Sequence, residues 1–184
     1  VAGSPVSAVG ANLSSQYHSP ILRNFIELSL NTGCRKGEVL RLKWENIDFT
    51  NRLVYLSETK SGEWQTVPLN DDARRVLVSQ MRLRDTLCPN TPWVFFHTTA
   101  AMNTKVGGRV KDVRTSFATA CKRAGITNFH PHDLRHTFAS WLVMDGVPLY
   151  DVSKLMRHAS IEMTQRYAHL APVCYTHLTL QTKA

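Results

Sequence analysis

The sequence is short of several things, and each shortage closes off a class of function. No segment of its 184 residues approaches the roughly 20 consecutive apolar residues of a membrane-spanning helix, and the N-terminus lacks a secretory-signal layout. The four cysteines, Cys34, Cys88, Cys121 and Cys174, are scattered with no CxxC pair. That pattern suits reduced thiols in the cytoplasm, not a disulfide frame or a cysteine zinc site. There is no glycine-rich phosphate loop and no internal repeat. Acid is scarce too, with 14 Asp and Glu against 22 Lys and Arg and a formal net charge of +8. With a pI near 9.6, the chain favours a polyanionic partner, most simply nucleic acid. The hydrophobic share of 43% is ordinary, and the length suits one domain with a proper core.

What is present concentrates between His132 and Tyr167, HDLRHTFASWLVMDGVPLYDVSKLMRHASIEMTQRY. His132, Arg135 and His136 stand at i, i+3 and i+4, one face of a helix. Leu134, Phe138, Trp141 and Leu142 recur at helical spacing and predict a buried stripe. His158 follows Arg135 by 23 residues, and Tyr167 follows His158 by nine. A helix that buries one face and presents His and Arg elsewhere offers donors and a base to an anion, and a nearby tyrosine hydroxyl is a candidate nucleophile.

The remaining chain predicts helices and one small sheet. Residues 1–20 read as a loose leader or linker remnant ending at Ser19-Pro20. A helix is expected over 21–32 with Gly33 as its stop, and a second over about 36–44. Arg35 then sits in the tight connection, where by itself it reads as a surface arginine. Residues 52–56 and 64–68 predict a β-hairpin with Lys60 at or beside its tip, by itself a solvated lysine. Asn70 or Asp71 caps a helix to about Arg84, with Val76, Leu77 and Met81 inward. WVFF at 93–96 predicts a third strand of the same sheet. Residues 107–123 predict a helix burying Val110, Val113, Phe117 and Cys121, with Lys105, Arg109, Lys111 and Arg114 on its solvated face. Pro131 sets up the His132 helix, which ends near Gly146. Pro148 starts the next helix, and Ser160 caps a last one carrying Tyr167. The final residues, 171–184, fit no helical pattern and read either as a docking tail or as unrelated sequence.

TGCRKGEVLRLKWENIDF, TKSGEWQTVPL, HDLRHTFASWL and LMRHASIEMTQRYAHL, in this order and at these separations, resemble the catalytic domain of the tyrosine recombinases, the phage integrase family. The resemblance covers about residues 21–170. It implies a mainly α-helical fold with a small three-stranded antiparallel β-sheet, which agrees with the reading above. It also implies strand cleavage and rejoining of DNA without metal, ATP or other cofactor. Tyr167 would be the nucleophile, giving a 3′-phosphotyrosyl link. Arg35 and Arg135 would grip the non-bridging oxygens, and Lys60 would protonate the leaving 5′-oxygen. His132 would help move the proton from Tyr167, and His158 would hydrogen-bond the phosphate. Glu38 would support the site, and His136 fits packing or support. The implied partner is double-stranded DNA carrying recombination sites. The protein would be a tetramer on DNA and a monomer alone, placed with the nucleoid in the cytoplasm.

The set is chemically coherent. A phosphodiester under attack builds charge on its equatorial oxygens, and planar guanidinium forks hold those oxygens with two donors each. A phenol with a pKa of about 10 needs a base or nearby positive charge before it attacks. A phosphotyrosine stores the bond energy for rejoining. The chain departs from the family at Arg157, where a glycine commonly precedes the histidine. If that position requires positive φ, arginine costs on the order of 1 kcal/mol there, or it adds a phosphate contact. The family's N-terminal DNA-clamping domain is not represented. Two other readings stand beside this one. A non-catalytic DNA-binding module derived from an integrase would keep the charge and lose the chemistry. HDLRH also parallels the HExxH zinc helix, with His158 as third ligand, but Asp is shorter than Glu and Arg135 would face the metal.

Overall fold

Pro20 opens helix α1 (Pro20–Thr32), where its missing N–H costs nothing and its fixed φ already suits a helix. Gly33 closes the helix at φ 59°, its N–H donating to the Ser29 carbonyl at 3.0 Å. The computed structural model describes residues 19–56, 65–101 and 104–172. These divide into two compact units between Phe138 and Ala139.

In the first unit, α1 packs on α3 (Asp71–Leu87). Phe25, Ile26 and Leu30 of α1 and Val76 and Leu77 of α3 are buried, as the periodicity predicts. Asn70 caps α3, its side-chain oxygen accepting from the Ala73 N–H at 2.8 Å. A buried polar chain runs through this packing. Asn24 Nδ2 donates to Gln80 Oε1 at 2.7 Å, and Gln80 Nε2 donates to the Val94 carbonyl at 2.7 Å. Each buried amide thus keeps a partner. Met81, expected inward, is only half-buried, because Gln80 takes the core position.

The sheet is three-stranded and antiparallel in the order β1 (Ile47–Asp48), β2 (Leu53–Leu56), β3 (Gln65–Pro68). Val54 and Leu56 of β2 face the core with Val67 of β3. The expected third strand at 93–96 is instead β1. WVFF is buried at Val94, Phe95 and Phe96, but it bends at Val94 and Phe95 and forms only single bridges. Trp93 pairs with Lys43, and Phe96 with Arg109.

Those bridges also shorten the next helix. Residues 107–110 are held by the Gly107 N–H donating to the His97 carbonyl and the Val110 N–H to the Phe95 carbonyl, at 2.8 and 3.0 Å. Helix α4 therefore begins only at Arg114 and runs to Arg123 (Arg114–Arg123), with Phe117 and Cys121 buried. Two of the expected solvated cations are engaged. Arg109 lies 5.2 Å from the Trp93 ring centroid, and Arg114 Nε donates to Asp112 Oδ2 at 2.5 Å. The second expected helix is likewise short, α2 (Lys36–Leu40), followed by a 3-10 turn at Trp44–Asn46. Among the described residues no helix is long and apolar enough to cross a membrane.

Helix α5 (Asp133–Met144) begins in the first unit and continues into the second. Its buried apolar positions are Leu134, Ala139 and Val143, whereas Phe138, Trp141 and Leu142 of the expected stripe are half-buried. In the second unit, Pro148 precedes α6 (Leu149–Met156), which packs on the four-residue α7 (Glu162–Gln165). The N-cap of α7 is Ile161, not Ser160. The Ser160 hydroxyl bonds the Glu162 carboxylate instead, lowering that acid's pKa. Tyr167 lies just past α7, before a 3-10 turn at Ala168–Leu170.

Candidate active site

In the first unit the loop Gly33–Cys34–Arg35 carries the first candidate arginine. Gly33 is required twice over: its φ is left-handed, and a Cβ there would run into the Phe138 ring. Glu38 opens α2 and accepts from Arg35 twice, from the backbone N–H at 2.8 Å and from Nη1 at 2.9 Å. The Arg35 side chain is 45% exposed, so this pair adds little to stability, but it fixes the direction of the fork.

Arg135 is its opposite in burial, with only 3% of the residue exposed. Its Nη1 donates to the Gly33 carbonyl at 2.5 Å, across 102 residues of sequence. A cation buried to this degree is tolerated only with well-directed acceptors around it. His132 is exposed at the start of α5, and its carbonyl accepts the Arg135 and His136 N–H groups at 3.1 and 3.4 Å. The His132 and His136 rings meet edge to face at 4.7 Å. Beside Arg35, Lys36 Nζ donates to Asp112 at 3.0 Å. That lysine, with Arg114, holds the Asp112 carboxyl well below the usual carboxylate range.

In the second unit α6 ends at Arg157 in the left-handed region, φ 53° and ψ 46°, so the position does take positive φ in this chain. The His158 N–H donates back to the Ser153 carbonyl at 3.1 Å. The imidazole Nδ1 of His158 lies 2.8 Å from Thr164 Oγ1, and Thr164 is fully buried. The Tyr167 N–H donates to the Thr164 carbonyl at 2.9 Å, and Tyr167 is buried.

Thus the first unit links Arg35, Glu38 and Arg135 through one loop and sets His132 edge to face with His136. The second joins His158 and Tyr167 to the same threonine. Lys60 lies outside the described residues, as does Cys174. Cys34, Cys88 and Cys121 are thiols, and burial pushes the Cys121 pKa up. The Gly33 carbonyl and Thr164 are participants that the motif reading does not single out. Among the described residues no group of three His, Cys, Asp or Glu side chains is placed to hold a metal ion.

The chain has relatives among known proteins. The chain is 38% identical over 168 residues to the integrase of Salmonella phage P22, covering 86% of this chain and 41% of that protein. It spans about half or less of the length of the first curated relatives it matches. The catalytic domain of bacteriophage HP1 integrase superposes with a TM-score of 0.60 at 28% identity, covering 94% of this chain and 88% of that one. The Tn1549 transposon integrase, solved in complex with a circular intermediate DNA, superposes with a TM-score of 0.72 at 20% identity, over 91% of this chain and 60% of that one. The fold shared with these neighbours is, in this chain, mainly α-helical with a small three-stranded antiparallel sheet. With the phage integrase family model matching residues 6–173, the chain belongs to that family.

Proposed function

We propose that this chain carries the catalytic part of a tyrosine-type site-specific DNA recombinase, which cuts and rejoins DNA strands for integration or excision. The Tyr167 phenol attacks a scissile phosphorus while His132 accepts its proton. The bond from phosphorus to the 5′-oxygen breaks, and Lys60 protonates that oxygen. A 3′-phosphotyrosyl link remains. Attack by a second 5′-hydroxyl reverses each transfer and reseals the strand. Arg35 and Arg135 hold the non-bridging oxygens, and His158 donates to the phosphate. Glu38 orients Arg35, and His136 packs against the His132 ring.

The observation that carries this reading is the bond from buried Arg135 to the Gly33 carbonyl, two residues before Arg35. It ties two arginines from distant motifs to one loop, as paired recognition of one phosphate requires. The partner is double-stranded DNA bearing recombination sites. On it the protein assembles as a homotetramer, and without DNA it is a monomer, acting at the nucleoid in the cytoplasm. The DNA complexes of the Tn1549 integrase and of the XerH recombinase support a DNA partner.

Covalent trapping on nicked suicide duplexes, drawn from a pooled fragment library and run in EDTA, tests the reading. The expected product is a protein–DNA adduct that survives denaturation and disappears in Tyr167→Phe. Salt-sensitive DNA binding with no adduct in either protein would overturn the catalytic reading and leave a DNA-binding module.

A further inference from the structure

We infer that Thr164 is a positioning residue that holds His158 with its proton on Nε2, the form that can donate to an anion. The contact between Thr164 and His158 suits either tautomer, and the inference rests on the recombinase reading, which needs a donor at Nε2, for the choice of the one in which the hydroxyl donates. Thr164 is fully buried, and its Oγ1 lies 2.8 Å from His158 Nδ1. A neutral imidazole carries one N–H, and the partner of one ring nitrogen decides the state of the other. A hydroxyl donating to Nδ1 leaves the proton on Nε2. The opposite tautomer would turn a lone pair toward a phosphate oxygen and repel it.

Position as well as tautomer is set here. The His158 N–H is fixed to the Ser153 carbonyl at the end of α6, and the Thr164 N–H to the Ile161 carbonyl at 2.8 Å. Both ends of the contact are therefore anchored by backbone, and the imidazole is held at a defined ring angle. The Tyr167 N–H donates to the carbonyl of this same threonine, so one residue registers the candidate phosphate donor and the candidate nucleophile. A valine would keep the shape of Thr164 and delete the hydroxyl. A serine would keep the hydroxyl and delete only a methyl group.

Nitrogen-15 NMR of the histidine rings near pH 8, where free histidine with a pKa of about 6.5 is neutral, reads the tautomer directly. The wild-type chain should show His158 protonated at Nε2. Thr164→Val should shift that signal toward a mixture, and Thr164→Ser should restore it. In the trapping assay Thr164→Val should form adduct about tenfold more slowly, the effect of one ordinary hydrogen bond, with Thr164→Ser near wild type. A proton on Nδ1 in the wild type would overturn the inference. So would a His158 signal unmoved by Thr164→Val, or a moved signal with unchanged adduct formation. If the wild type forms no adduct at all, the recombinase reading fails, while the ring spectra still decide whether Thr164 sets the tautomer.

Discussion

At the scale of single residues, Arg157 shows how much a side chain can cost where it stands. Its φ of 53° lies in a region that disfavours a Cβ by about 1–2 kcal/mol, and glycine takes it without that penalty. The Arg157 Nη1 bond to the Leu155 carbonyl, at 3.2 Å, is at the long end of the ordinary range and is among the contacts set against that cost. Glycine adds freedom to the unfolded chain, which offsets part of the relief. Arg157→Gly should therefore stabilise the protein by about 0.5–1 kcal/mol, read as a raised urea midpoint at unchanged slope. A lowered midpoint would mean that the arginine's contacts outweigh its backbone strain. The substituted position was legible in sequence because a family pattern exists to depart from. Thr164 was not, since a threonine on a short helix carries no signature until its hydroxyl is seen against His158. The Gly33 carbonyl was still less legible: every residue has one, and only the fold shows which one Arg135 reaches.

At the scale of elements, the loop between α1 and α2 and the segment leading into α4 carry the testable strain and charge. Gly33→Ala meets two penalties together, a left-handed φ and a collision with the Phe138 ring. Summing about 1–2 kcal/mol for the backbone and about 1–3 for overpacking gives a loss of about 2–5 kcal/mol, measurable by urea denaturation. A loss below about 1 kcal/mol would show that the loop relaxes easily. Asp112 offers a pH test. Its folded pKa is depressed by Lys36 first and Arg114 second, so its contribution is present above its unfolded pKa of about 3.9 and fades as pH falls through the folded value. Asp112→Asn keeps acceptors for the Val113 and Arg114 N–H groups but removes the charge. With the Asp112 side chain 37% exposed, screening limits the effect to less than about 1 kcal/mol at pH 7. The gap between variant and wild type should begin to narrow below about pH 4 and go on narrowing as pH falls toward the depressed folded value; a gap that does not narrow at all would point to lost shape, not lost charge. The long periodic helices α1 and α3 were legible in advance, and Pro148 announced the start of the shorter α6. The stretches 93–96 and 107–110 were not, because alternation and apolar runs announce an extended or buried segment without naming its partner.

At the scale of the whole molecule, the question is what the excess of eight positive charges does. Several cations are already spoken for within the fold: Arg23 by Glu27, Lys43 by Glu45, Arg52 by Asp71, and Lys36 and Arg114 by Asp112. These exposed pairs are weak, and five cations share four carboxylates, so the surplus is not removed by them. It is met by counterions in free protein and, on the proposed DNA partner, by phosphates. Each phosphate neutralised releases condensed counterions, and the logarithm of affinity falls with the logarithm of salt by about 0.9 per contact. A footprint of about six phosphates then predicts a slope near −5, a loss of roughly 10³-fold in affinity between 50 and 200 mM salt. Fluorescence anisotropy on a duplex of arbitrary sequence measures it without knowledge of the natural site. Tyr167→Phe should leave the slope unchanged, since a buried phenol contributes no charge to the footprint. A slope near zero would mean that the basic surplus serves something other than a nucleic-acid backbone, whatever the chemistry at Tyr167.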